Sequence, residues 1–152
     1  MLASNLQVLN ERWPEIASRL ESCATELSVE PTEGRAPTVS VDGLQLSSAY
    51  DPSREASIQA SLIPTGTKRA TVYGIGAGHL VANLLDRTDL ESLELVLMHP
   101  EVAKASLSHF EYSSWLADER LELTWAKDSH ALKPPFAVVP PCLTLAEQEA
   151  HR

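Results

Sequence analysis

The stretch Ala70-Thr71-Val72-Tyr73-Gly74-Ile75-Gly76-Ala77-Gly78-His79-Leu80 decides the fold. Its first half, Ala70 to Ile75, is short, apolar and β-branched, as a buried strand is. Glycines at 74, 76 and 78 follow at once, and from His79 to Arg87 the residues Leu80, Leu84 and Leu85 recur at helical spacing. A strand that runs through closely spaced glycines into a helix opens a βαβ unit. In such a turn, backbone amides and the helix dipole can approach a nucleotide.

Downstream the same alternation repeats. Leu93 to Met98 predicts a second buried strand, and Pro100 opens a helix to about Phe110. A short helix over 114–118, a strand over Leu121 to Trp125 and a fourth strand over Phe136 to Val139, stopped by Pro140-Pro141, complete the series. Strands alternating with helices imply right-handed crossovers and a mainly parallel sheet with helices on both faces.

Upstream, Leu6, Leu9, Trp13, Ile16, Leu20, Cys23 and Leu27 fall on one helical face. Pro14 interrupts that helix and is expected to open a second one, since proline has no N–H to donate and suits a first helical position. Glu30 to Pro37, with two prolines and Gly34, reads as a loop. Thr38 to Leu46 alternates on either side of Asp42-Gly43, a strong hairpin signal, and Ser53 to Leu62 reads as a helix ended by Pro64. Residues 1–152 are expected to form one domain: a helical segment, hairpin and helix over 1–66, and an α/β part over 67–152.

Composition narrows the function classes. Twelve basic against twenty-one acidic residues give a net charge of −9, with no basic stripe for a phosphate backbone, so nucleic acid is not an expected partner. The apolar runs are too short for a membrane span and the N-terminus has no continuous apolar signal core. Cys23 and Cys142 are read as free thiols of a reducing cytosol.

The glycine turn reads Gly-x-Gly-x-Gly, with His79 where a dinucleotide fingerprint has its third glycine, which disfavours a nicotinamide site. It looks more like the first motif of methyltransferases that use S-adenosylmethionine, so the part over 67–152 is expected to be Rossmann-like, of the methyltransferase kind. Cofactor-binding candidates are Gly74, Gly76 and Gly78 for the ligand backbone, His99 or Glu101 for the ribose, and Asp128 for the base. The ribose position is compromised: it falls at Met98-His99, and an imidazole cannot accept two hydroxyl hydrogen bonds as a carboxylate does. Glu101 could serve only if the helix start were displaced. Amino-group methyltransferases resemble Val139-Pro140-Pro141 with Asn or Asp in place of the valine, which has no acceptor. The histidines show no metal-ligand spacing, although His99 and His130 both follow strand ends and could be neighbours in the crevice.

Several stretches together resemble one family. Asn5-Leu6 with Trp13-Pro14-Glu15-Ile16 is similar to the N-terminal "NL…P" helix of the motility accessory factors, bacterial flagellin-modifying glycosyltransferases. Ser48-Ala49-Tyr50-Asp51-Pro52-Ser53-Arg54-Glu55-Ala56 looks like that family's "S-x-Y-(N/D)-P-x-x-E-A" segment. The glycine turn through His79, and Val96-Leu97-Met98-His99-Pro100-Glu101, resemble its glycine loop and its "v-v-E-P-x" strand end, with His99 in place of the acid. The family's glycosyl-transfer chemistry is assigned to a central domain beyond this region, so the resemblance covers the N-terminal Rossmann-like domain and carries no catalytic residue here. It implies a bacterial cytoplasmic setting and a link to flagellar or surface-glycan modification.

Two functions follow. The first is a non-catalytic accessory module, without cofactor or metal, that meets a protein partner or a second copy of itself. The alternative is a transferase using S-adenosylmethionine or a sugar nucleotide, with His99 or His130 as general base.

Overall fold

Pro14 divides the N-terminal helical pattern as its missing N–H requires. In a computed structural model that describes residues 2–23, 27–32, 38–126, 135–142 and 144–145, α1 (Leu2–Arg12) and α2 (Pro14–Ser22) meet at Trp13, with Pro14 in the first turn of α2. Their inward faces, Leu9, Ile16, Ala17 and Leu20, join the core.

The segment read as a loop from Glu30 differs in the structure. Val29–Thr32 is a strand, β1, which pairs antiparallel with β2 (Thr38–Val41). Proline is tolerated there because β1 is an edge strand, where an absent N–H breaks no ladder on its open side. β2 turns into β3 (Leu44–Gln45) through Asp42 (φ 48°) and Gly43 (φ 82°), the left-handed pair that a two-residue hairpin requires. Next, α3 (Pro52–Ala60) begins at Asp51, whose side chain accepts the Arg54 N–H at 3.0 Å.

The α/β part consists of β4 (Arg69–Tyr73), α4 (His79–Leu85), β5 (Ser92–Leu97), α5 (Pro100–His109), α6 (Ser113–Leu116), β6 (Leu121–Trp125) and β7 (Phe136–Val138). The four strands are parallel in the order β6-β5-β4-β7. Counted within this part, the order is 3-2-1-4, one arm of a doubly wound sheet and the first strand past its switch point. Register places Ala70 beside Leu93 and Leu121, and Val72 beside Leu95, Leu123 and Ala137. These rows are buried, and so are Thr71, Tyr73 and Val96 on the opposite face. Helices flank it, and Pro140 to Cys142 turns helically straight after β7.

Polar side chains fix how these layers meet. Arg120 donates to the carbonyls of Leu85, Arg87 and Leu90 and to the Asp118 carboxylate, while Arg87 donates to those of Ala60 and Ile63. The hydrogen bond from Arg120 holds the Asp118 carboxyl below its ordinary range, against the opposing effect of partial burial. Asn5 is fully buried in α1. Its Nδ2 donates to the carbonyls of Leu107 and Phe110, each at 2.8 Å, and its Oδ1 accepts the Tyr112 N–H at 2.8 Å. One amide therefore satisfies the carboxyl end of α5 and sets the direction of the chain leaving it.

Replacing that amide leaves three buried backbone groups without partners, each costing about 1–3 kcal/mol. Asn5→Ala is expected to destabilise the fold by roughly 3 kcal/mol or more, read as a lower urea midpoint at unchanged slope.

Candidate functional site

The glycine turn joins β4 to α4, and each of its three glycines has positive φ: 99° at Gly74, 55° at Gly76 and 82° at Gly78. In a ligand-binding turn the missing side chains let a ligand come close. Here the space is taken by the chain itself. A Cβ built on Gly74 would lie 2.6 Å from Cys142 Cβ, one on Gly76 would lie 2.9 Å from Val139 Cγ1, and one on Gly78 would lie 2.5 Å from Tyr112 Cε1. All three intruding residues are buried.

The glycine amides are committed as well. Gly74 N–H donates to Val96 O and Gly78 N–H to Ile75 O, both at 2.9 Å, and Gly76 N–H donates to the Cys142 thiol sulfur at 3.3 Å. Burial pushes the Cys142 thiol up to about 11, against the opposing pull of the Gly76 and Ile75 amides, so it is neutral at pH 7. Tyr112 is raised for the same reason, and its hydroxyl shares a 2.6 Å hydrogen bond with Ser106.

The other sequence candidates are likewise occupied with internal work. His99 caps α5, its Nδ1 accepting the Glu101 N–H at 3.1 Å. Glu101 accepts the N–H of Leu27 at 2.8 Å, which ties the chain before β1 to the start of α5. Asp128 and His130 lie outside the described residues, so the pairing of His99 with His130 does too. Val139, where an amine acceptor would stand, points its side chain at Gly76.

What remains beside the turn is a hollow lined by Ser47, Glu55, Gln59, His79 and Val139, with room for about one water molecule. His79 packs edge-on against Phe110 with ring centroids 6.4 Å apart, and its Nδ1 is buried with no hydrogen-bond partner among the described residues. Desolvation lowers the His79 pKa, and the Glu55 carboxylate opposes it only in part. No group of His, Cys, Asp or Glu among the described residues is arranged to hold a metal ion. Neither Tyr112 nor Cys142 carries a sequence signal for its role: the latter reaches Gly76 across 66 residues.

Two outcomes test this geometry. Gly66 shares the conformation of Gly78 (φ 86° against 82°) but faces open space. Gly66→Ala should therefore cost about 1–2 kcal/mol, the left-handed penalty alone. Gly78→Ala should cost at least about 2 kcal/mol more, because the ring of Tyr112 has to move. Both are read from denaturant unfolding. His79, protonated more readily when unfolded than when folded, makes stability fall as pH drops below its ordinary value of 6.5. His79→Gln should flatten that slope between about pH 7 and pH 5, where aspartates and glutamates contribute little.

No protein-family model and no curated protein matches the chain. Solved structures do. The MAf glycosyltransferase from Magnetospirillum magneticum AMB-1 superposes with a TM-score of 0.64 over 97% of this chain and 34% of that one, at 14% identity. Spermidine synthase from Thermotoga maritima follows at 0.55, over 68% of this chain and 38% of that one, at 18% identity. A spermidine synthase in complex with the transition state analogue AdoDATO gives 0.54, over 66% and 36%, at 19% identity. The chain thus spans about a third of the length of each. At such identities the likeness establishes the fold: this is the Rossmann-like, methyltransferase-type architecture that the MAf glycosyltransferase also contains.

Proposed function

We propose that the chain is a Rossmann-like accessory module, not itself catalytic, that works through its surface in flagellar or surface-glycan modification in a bacterial cytoplasm. The observation that carries this reading is the commitment of all three glycine amides to Val96, Cys142 and Ile75. An anion or a nucleotide is held at such a turn by amides that have no other partner. A ligand here would have to displace Val139 and Cys142 and break the bond to the thiol. The ribose position supports the same reading, since His99 and Glu101 both serve backbone N–H groups. The link to glycan modification rests on the motif resemblance and on the fold shared with the MAf glycosyltransferase over nearly the whole chain.

The alternative is a transferase with a nucleotide-type cofactor, favoured by the likeness to a spermidine synthase bound to a transition state analogue. Thermal melts with S-adenosylmethionine, S-adenosylhomocysteine and a set of sugar nucleotides separate the two. A ligand at a hundred times its Kd stabilises by about 2.7 kcal/mol, which is roughly 5–10 °C for a chain of this size. The accessory reading expects no rise with any of them, and a rise of that size with one replaces it with the transferase reading.

A further inference from the structure

We draw no further inference here: the strongest candidate, the exposed surface patch of Tyr50, Ile58 and Leu62 along α3, has Asp51, Arg54 and Glu55 set among its apolar residues, and nothing in the structure shows what covers it.

Discussion

A single buried amide determines what the glycine turn can do. Asn5, on the first helix, holds the Leu107 and Phe110 carbonyls and the Tyr112 N–H. That fixes the chain where it leaves α5 and aims the Tyr112 ring at Gly78. The hydroxyl of the same ring is held by Ser106. Tyrosine is thereby anchored at both its backbone and its phenolic end, and a ring so anchored does not swing aside at small cost. The helical segment ahead of the α/β part is therefore part of the turn's own architecture.

On the other side of the turn the closure is electrostatic as much as steric. A glycine turn open to solvent presents unpaired amides and a positive field, which is what draws an anion. Here that field is met by carbonyls and by a thiol that burial keeps neutral. The histidine at the head of α4 is kept uncharged by desolvation as well. The three glycine amides all have partners within the chain, and the hollow beside the turn admits about one water molecule. The glycines are required by Tyr112, Val139 and Cys142, each of which stands where a Cβ would be.

Much of the fold was legible in the sequence because it is written in local terms. Asp42-Gly43 forces a hairpin, Pro14 and Pro100 open helices, the apolar runs ending at Tyr73 and Leu97 form buried strands, and Leu121 to Trp125 alternates as a half-buried one. β1 was illegible because Pro31 is a local loop signal, and only its pairing with Val39 at a sheet edge makes it strand. The residues that border the glycine turn were legible only as positions along the chain. The glycines, His99 and Glu101 could be named there, but their hydrogen-bond partners could not. That Tyr112 and Cys142 pack against the glycines could not be seen, because they reach the turn only through tertiary folding. Local sequence says which residues border a crevice, and the contacts across it say whether it is open.

The same packing that closes the crevice also determines the sheet edge. A strand of three residues, Phe136 to Val138, has too few ladder bonds to hold itself in place. What holds it is the segment just beyond, where Val139 donates to Tyr73 and packs on Gly76, and Cys142 wedges against Gly74. A ligand in the crevice would have to expel those residues and would loosen β7 in doing so. Packed on these side chains, the turn holds the segment after β7 against β4. A ligand that displaced Val139 and Cys142, and a firmly held β7, are thus competing demands on one short segment.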